Sequence, residues 1–385
     1  MTRVEIADAL PRAAEIVADV RERGDAALLG WSERFDGERP PALRVPADEI
    51  AAAEAEPAFL DAVRALADAV RAFHAPQRPV DTSVSPLPGV RAERRFLPVG
   101  AVGIYAPGGR AVYPSSLVMA AVPAQLAGVR RIVVASPRPP AALLATAREL
   151  GLDEVYAVGG AQAIAALAYG TETIPAVDKI VGPGNRWVTA AKLLVSGRVG
   201  IDLPAGPSEV LVVADESADP VLCAADLLAQ AEHGPDSECV LVTTSVRVAR
   251  EAERLVDGWE QVRVEVVGSL DEALARVDEY APEHLELHVA DPDAFAARVA
   301  NAGSIFLGAS TPAVVGDYAA GANHVLPTGG LARAAGGLGL EAFLKPVQIV
   351  SSSREGLDAM RATVAALAAA EGLPLHAAAM EARFR

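Results

Sequence analysis

The spacing of apolar residues divides the chain into a helical beginning and a long alternating middle. Over residues 4–75 most apolar side chains recur at helical spacing, and Pro11 is expected to stand at the start of a helix rather than inside one. A second run over 48–73 predicts another long helix. The apolar positions of the first run include Ile6, Leu10, Ile16, Val17 and Val20.

From residue 98 onward, short β-branched runs alternate with helical segments of roughly ten to fifteen residues. This alternation predicts parallel sheets that are covered by helices on both faces. Nine strands favour two α/β units over one. The predicted strands are 101–105, 131–136, 155–158, 179–181, 209–214, 239–243, 264–267, 285–289 and 304–307.

The last segment has a different pattern. The pattern over residues 347–350 predicts one strand. Ser353 is expected to cap a helix over 354–370 that ends before Gly372. A short helix then carries His376. The outward faces of both helices are rich in Ala, Leu and Met, which is too apolar for a free tail. We expect this tail to pack on another subunit.

Composition and charge narrow the classes of protein. Half of the 385 residues are apolar (51%), which excludes a disordered chain, and the net charge of −16 argues against nucleic acid or an anionic membrane as partner. Cys223 and Cys239 cannot form a disulfide scaffold and are expected to be buried apolar residues. The uncharged stretch 111–129 contains prolines and predicts a buried helix rather than a membrane span. No signal-peptide pattern opens the sequence, so we predict a cytoplasmic protein.

Four of the six histidines lie in segments with candidate chemistry. Gln230 and His233 are three residues apart on a predicted helix and would share one face, where an amide oxygen and an imidazole suit a metal. The alternative is a helix end with a solvated histidine. Asp317 and His324 follow a glycine-rich turn after a strand, a common place for sites in α/β sheets. The alternative is an N-capping aspartate and a histidine at the edge of the core.

Glu283 and His284 precede a predicted strand and suit general acid–base work. Neighbouring side chains in a strand point to opposite faces, so these two share a site only if their segment is a turn. An unremarkable helix-to-strand surface is the alternative, and His376 taken alone is typical of a solvated terminal residue. His288 is interpreted as a structural strand residue, and His74 as a helix end without polar neighbours. Neither is given a role.

Three glycine-rich turns follow predicted strands, at 106–109, 158–162 and 181–185. Backbone N–H groups at helix starts suit the pyrophosphate of a dinucleotide. None of the turns has the Gly-x-Gly-x-x-Gly spacing, and no acidic residue stands convincingly where it would bind a ribose. Tight turns without a ligand also explain each of them.

Taken together, these segments resemble histidinol dehydrogenases, and the resemblance covers nearly the whole chain. The first seventy residues match more loosely, and Trp187 stands where the family more often has Phe or Tyr. The matching segments are Gly-Ile-Tyr-Ala-Pro-Gly-Gly at 103–109, Gly-Gly-Ala-Gln-Ala-Ile-Ala-Ala at 159–166, Gly-Pro-Gly-Asn-Arg at 182–186, Pro-Ala-Gly-Pro-Ser-Glu at 204–209, Gln-Ala-Glu-His-Gly-Pro-Asp-Ser at 230–237, Ala-Pro-Glu-His-Leu at 281–285, Gly-Asp-Tyr at 316–318 and Asn-His-Val-Leu-Pro-Thr at 323–328.

The resemblance implies a zinc-dependent oxidation of L-histidinol through L-histidinal to L-histidine with two NAD⁺, the last steps of histidine biosynthesis. It implies a homodimer with shared active sites and one Zn²⁺ per subunit. The implied metal ligands are Gln230, His233, Asp317 and the partner subunit's His376. The implied catalytic pair is Glu283 and His284. Further implied substrate contacts are Ser208, His324 and Glu371, and implied NAD contacts are Tyr105, Gln162 and Asn185.

The implied fold class is α/β, with two incomplete Rossmann-like domains, parallel-rich sheets, N-terminal helices and a C-terminal dimerisation tail. Residues 1–104 are expected to hold the helices and the start of the first domain, and 105–209 the second, NAD-binding domain. Residues 210–338 would complete the first domain, with the metal and catalytic residues, and 339–385 would form the tail.

The implied ligand set is chemically coherent. One carboxylate, two imidazoles and one amide leave a zinc site with positive charge and no thiolate, unlike a closed structural site. Two other functions stay open: a related NAD-dependent dehydrogenase that acts on another small alcohol, with or without zinc, and a non-catalytic two-domain binding module that closes on a small ligand.

Overall fold

The computed structural model describes residues 6–108, 113–204 and 206–384. Gly109 and Ala205, which belong to two of the matching segments, lie outside the described residues. Contacts divide the chain into two compact units. The first comprises Met1–Gln77 and Val99–Phe343, and the second comprises Arg78–Pro98 and Leu344–Arg385. The domain borders predicted from the sequence stay predictions.

The α-helices occur throughout the first unit and at the C-terminal end of the second. They are α1 (Leu10–Arg23), α2 (Asp25–Asp36), α3 (Ala47–Ala52), α4 (Pro57–His74), α5 (Pro114–Ala127), α6 (Ala141–Glu149), α7 (Gly160–Tyr169), α8 (Arg186–Val195), α9 (Pro220–Ala231), α10 (Val246–Leu255), α11 (Leu270–Tyr280), α12 (Pro292–Ala296), α13 (Ala313–Tyr318), α14 (Arg354–Ala370) and α15 (Pro374–Glu381).

The strands form three sheets. They are β1 (Thr82–Val84), β2 (Val90–Pro98), β3 (Ala101–Tyr105), β4 (Arg131–Ala135), β5 (Val155–Tyr156), β6 (Lys179–Val181), β7 (Gly200–Ile201), β8 (Glu209–Ala214), β9 (Glu238–Thr243), β10 (Val262–Val266), β11 (His284–His288), β12 (Ser304–Leu307) and β13 (Leu344–Ser352).

Two five-stranded parallel sheets form the frame of the first unit. The first has the order β5-β4-β3-β6-β7 and the second the order β10-β9-β8-β11-β12. Counted along the chain, both follow the order 3-2-1-4-5, which is the doubly wound arrangement without its sixth strand. The predicted fold class, with two incomplete Rossmann-like sheets, is confirmed.

Burial explains why the predicted strands formed. Every residue of β8 is buried, as expected for a central strand that is covered on both faces.

The uncharged stretch near residue 120 forms α5, whose residues Ser116–Ala124 are all buried. Within the described chain, we find no helix with the length and apolarity needed to span a bilayer. Cys223 and Cys239 are buried as predicted.

The helix predicted over 48–73 is wrong in one respect, because it is two helices. Residues 53–56 separate α3 from α4, and Glu56 has the extended backbone (ψ 136°) that precedes a proline. Pro57 then opens α4, where its missing N–H would have had no helical partner. Pro11, by contrast, lies in the first turn of α1 as predicted.

The second unit has its own small antiparallel sheet, β1-β2-β13, which pairs β2 with a strand from the other end of the chain. Ser353 caps α14 by accepting a hydrogen bond from the backbone N–H of Gly356, as predicted. Gly372 follows α14 with a φ of +69°, the left-handed conformation that favours glycine. Leu367, Leu373 and Leu375 are exposed on this unit.

His74 gives a prediction about acid stability. Its Nδ1 lies 2.8 Å from Oε1 of Gln77, so the statement that it lacks polar neighbours is wrong. Its Nε2 is buried without a partner among the described residues. Burial lowers the pKa of His74. The unfolded chain therefore takes up this proton first, and the free energy of unfolding should fall as the pH drops below about 6.5.

A His74→Leu variant should lose part of this acid sensitivity. The measurement is urea unfolding from pH 8 to pH 5, with the wild type as reference. A pH dependence identical to that of the wild type would contradict the assignment.

Candidate active site

A cavity of about 690 Å³ collects most of the predicted site residues of the first unit. Its walls come from turns after strands of the first sheet and from segments before strands of the second. Seven residues singled out from the sequence line it: Asn185, Ser208, His233, Glu283, His284, Asp317 and His324.

Strand β11 presents the predicted catalytic pair to this cavity. His284 is the first residue of the strand, and Glu283 precedes it. Both side chains are buried, and Oε2 of Glu283 lies 3.6 Å from Nδ1 of His284. The pair was expected to share a site only if its segment were a turn; instead Glu283 lies in the irregular segment before the strand and His284 opens the strand, and both residues line the cavity.

Hydrogen bonds fix the protonation pattern of His284. Its Nδ1 lies 3.0 Å from the main-chain oxygen of Glu209, which can only accept, so Nδ1 carries the hydrogen. The lone pair is then on Nε2, which lies 3.9 Å from Oδ1 of Asp317. Burial lowers the pKa of His284 against the opposing effect of Asp317. The imidazole is therefore neutral near pH 7 and can accept a proton.

Glu283 is held from the neighbouring strand. Its Oε2 accepts a hydrogen bond of 2.8 Å from the backbone N–H of Glu209, the first residue of β8. Burial raises the pKa of Glu283 well above its ordinary value. A carboxyl group with a raised pKa can exchange protons nearer neutral pH, which suits general acid–base catalysis.

Asp317 and His324 are arranged by helix α13 and the segment after it. His324 Nδ1 lies 3.1 Å from the main-chain oxygen of Asp317, so this ring nitrogen carries the hydrogen. Its Nε2 lies 3.0 Å from the hydroxyl of Ser116, which donates to it. Burial lowers the pKa of His324. Ser116 was not singled out in the sequence, because nothing in its own helix indicates the distant histidine.

Gln230 and His233 lie at the end of α9. His233 Nδ1 lies 3.2 Å from the main-chain oxygen of Gln230, which leaves Nε2 free for a ligand. The side-chain nitrogen of Gln230 is buried and has no hydrogen-bond partner among the described residues. This amide does not line the cavity itself, although the same helix end delivers His233 to it.

Of the three predicted NAD contacts, one lines the cavity and two do not. Asn185 lines the cavity and caps α8 by accepting from the backbone N–H groups of Trp187 and Val188. Tyr105 and Gln162 are buried and do not line it, and the hydroxyl of Tyr105 accepts from the N–H of Gly160 at 3.1 Å.

A buried ion pair fixes the turn that carries Asn185. Lys192 Nζ donates to the main-chain oxygen of Gly182 at 2.6 Å, and the N–H of Gly182 donates to Asp202 at 2.7 Å. Lys192 and Asp202 also pair directly. Gly182 has a φ of +111°, and a Cβ there would overlap the carbonyl of Tyr105. The backbone of this turn therefore requires glycine at position 182.

The remaining predicted residues belong to the second unit. Glu371 is the C-cap residue that follows α14, and His376 is the third residue of α15. Both are exposed on the chain.

The fold and the cavity define the class of protein: an α/β enzyme on two dinucleotide-type sheets with a buried acid–base pair. A family model described as histidinol dehydrogenase matches residues 1–384, and the chain belongs to the histidinol dehydrogenase family. This family of oxidoreductases catalyses the final steps of histidine biosynthesis, so the predicted family and enzyme class are confirmed.

Individual relatives agree over nearly the whole chain. The histidinol dehydrogenase of Thermobifida fusca is 46% identical over 99% of this chain and 92% of its own, and that of Rhodospirillum rubrum is 48% identical over 96% and 90%. The crystal structure of the Elizabethkingia anophelis enzyme has a TM-score of 0.91 at 36% identity, covering 97% and 92%. An NAD-dependent benzaldehyde dehydrogenase from Corynebacterium glutamicum, 13% identical with a TM-score of 0.53 over 91% and 85%, shares the fold alone.

Proposed function

We propose that this chain oxidises L-histidinol through L-histidinal to L-histidine in one cavity, with zinc and two NAD⁺. The observation that carries the proposal is the imidazole of His284, which is buried beside the Glu283 carboxyl and faces Asp317. Family membership supports a metal and NAD as cofactors. The identity of the metal and the residues that hold it are part of the proposal.

The donor set fits a zinc ion. His233 and Asp317 line one cavity, and the hydrogen bond at Nδ1 of His233 orients its Nε2 as a ligand. The unpartnered amide of Gln230 fits a ligand still to be bound, because its oxygen and nitrogen can exchange places by a flip. When bound, zinc would hold and orient the substrate, and NAD⁺ would accept the hydride of each oxidation.

His284 serves the alcohol step. Its lone pair at Nε2 takes the proton of the substrate hydroxyl, and the lowered pKa keeps that lone pair available near pH 7. The hydrogen bond from Nδ1 to Glu209 stabilises the imidazolium that forms.

Glu283 serves the aldehyde step. Its carboxylate removes a proton from water as the water adds to the aldehyde carbon, which gives a hydrate ready for the second oxidation. Ser208 and His324 line the same cavity and are positioned to contact the substrate. Keeping the aldehyde bound in this cavity avoids its release as a reactive intermediate.

The coenzyme is assigned to the carboxyl edge of the first sheet, with Asn185 on the cavity wall and Tyr105 and Gln162 behind it. The order of that sheet reverses between β3 and β6, the position where such folds bind dinucleotides. Gln162 also lies in the first turn of α7, where helix N–H groups suit a phosphate.

The proposal includes a homodimer in which His376 of the partner subunit completes the zinc site and Glu371 contacts the substrate. The apolar side chains that α14 and the following segment expose support a covered surface here.

The test of the proposed function is an absorbance assay at the NADH band with zinc-loaded protein, histidinol and NAD⁺. Two NADH per histidine formed is the expected result. Turnover of other small alcohols but not of histidinol would indicate a different dehydrogenase. Binding without any turnover would indicate a binding module.

Metal removal gives a separate prediction. Chelation should abolish turnover, and one equivalent of Zn²⁺ per chain should restore it. Because protons compete with the metal for imidazole ligands, activity should decline below about pH 6.5, and added zinc should move the decline to lower pH. An acid loss that zinc cannot shift would contradict this explanation.

A further inference from the structure

A second cluster of titratable side chains lies outside the cavity. Asp226, Glu286 and His288 hold their carboxylate and imidazole atoms within 4.8 Å of one another, and none of them lines the cavity. Nε2 of His288 lies 3.2 Å from Oδ2 of Asp226 and 3.4 Å from Oε2 of Glu286. We call these three residues the buried acid–histidine cluster. The proposed reaction uses none of them.

The cluster joins the three elements that carry the proposed site. Asp226 belongs to α9, one helical turn before Gln230. Glu286 and His288 belong to β11, on the same face of the strand because they are two residues apart. Oε1 of Glu286 accepts a hydrogen bond of 2.7 Å from the N–H of Ala313. Ala313 opens α13, which carries Asp317 one turn later.

The pKa values of Glu286 and His288 are both raised, so the cluster holds protons near neutral pH. Burial raises the pKa of Glu286 to about 7, with Asp226 adding to the rise and His288 opposing it. Burial lowers the pKa of His288, but the hydrogen bonds to both carboxyl groups outweigh it and raise this pKa to about 9. Buried Glu286 and His288, together with the partly buried Asp226, contact one another closely and keep a compact arrangement without a metal.

Its second nitrogen distinguishes His288 from a typical metal ligand. A histidine that binds a metal through one nitrogen almost always donates a hydrogen bond from the other. Nδ1 of His288 is buried and finds no partner among the described residues. Nδ1 of His233, by contrast, donates to a main-chain oxygen. The observations therefore favour a structural, proton-sharing cluster over a second metal centre.

We propose that the buried acid–histidine cluster positions the ligands of the catalytic metal. Asp226, Glu286 and His288 are positioning residues: they fix α9 and α13 on β11, and so set the separation between Gln230, His233 and Asp317. The inference rests on the proposed function, because it needs a metal at those ligands.

The experiment measures the dissociation constant of Zn²⁺ for the full chain by competition with a chromophoric chelator. Two near-isosteric variants are compared with the wild type. Glu286→Gln keeps an oxygen for the N–H of Ala313 but cannot share the acidic proton, and Asp226→Asn changes the less buried partner. Asp215→Asn is the matched control, since Asp215 also accepts from a backbone N–H after β11, that of Ala290 at 2.8 Å.

Both cluster variants should bind zinc about 10- to 100-fold more weakly, the range found when partners of metal ligands are removed. The Asp215→Asn control should bind zinc like the wild type even if its melting temperature falls. Circular dichroism establishes that each chain is folded, and Asp226→Asn carries the test if Glu286→Gln does not fold.

Three outcomes would overturn the inference or its basis in separate ways. Unchanged zinc affinity in a folded cluster variant would show that the cluster stabilises the fold but does not position the metal ligands. Two zinc ions per wild-type chain, falling to one in Glu286→Gln, would make it a metal site. A wild type that binds no zinc would instead refute the proposed metal centre on which the inference rests.

Discussion

Replacing His284 with alanine should slow the oxidation of histidinol about 10²- to 10⁴-fold, the range that a positioned general base contributes. The same variant should lose much less on supplied histidinal, because the second oxidation starts from a hydrate rather than from an alcohol that His284 deprotonates. Glu283→Gln should show the reverse pattern, since the amide retains the shape of the side chain but cannot take a proton from water. Single-turnover formation of NADH from each substrate measures both steps.

His74→Leu is the control for this pair, because it removes a buried imidazole that does not line the cavity. It should leave both rates near those of the wild type. If both catalytic variants lost the same factor on histidinol and on histidinal, the division of labour between His284 and Glu283 would be wrong. A loss confined to KM would also contradict it, since proton transfer acts in the transition state.

The alternating middle of the chain could be predicted because its signal is local. Each buried strand is a short β-branched run, and all nine predicted strands formed within two or three residues of the expected limits. Strands β1, β2 and β7 escaped prediction, and β2 depends on a distant partner. Strand β2 is rich in charge, and it forms by pairing with β13, about 250 residues later in the chain. Arg94 interrupts the strand face that carries Val90, Ala92 and Phe96, which weakens the alternating signal.

The break between α3 and α4 could have been predicted, because a proline such as Pro57 inside a helical pattern is a signal that one helix ends and another begins. The apolar spacing continues through the break and conceals it. Helical periodicity alone therefore overestimates the length of a helix where a proline begins the next one.

The edge of the second sheet that faces the cavity is less predictable. The loop rule places sites after the carboxyl ends of strands, and it was the reason for considering Asp317. In the structure, His284 and Glu209 are the first residues of their strands, and Asp317 lies near His284 because α13 carries it there. The amino edge of this sheet therefore forms the wall.

The alternation of polar and apolar residues along β11 could have been recognised in the sequence. His284, Glu286 and His288 alternate with leucines, so a strand there must place three polar groups on one face. His288 was interpreted as structural, and its ion pair with Asp226 shows why a buried imidazole in that strand needs a partner. Ser116 and Glu209 give no such signal, because only folding brings them to His324 and to Glu283.

Mixing two inactive variants should restore activity if the partner's histidine completes each zinc site. His376→Ala and His233→Ala should each abolish tight zinc binding and turnover, because each removes one of four ligands. A mixed dimer contains one site with His233 from one chain and His376 from the other. With random exchange half of the dimers are mixed, so about one quarter of the wild-type activity should return.

The restored activity should be accompanied by zinc in the same proportion, which separates repaired metal sites from a general gain in stability. The control mixes His376→Ala with a chain that carries both substitutions, since no site in that mixture has all four ligands. Native mass spectrometry of chains with different tags measures how far exchange has gone. If exchange is complete and neither zinc nor turnover returns, the four ligands come from a single chain, and the apolar residues Leu367, Leu373 and Leu375 cover something other than a shared active site.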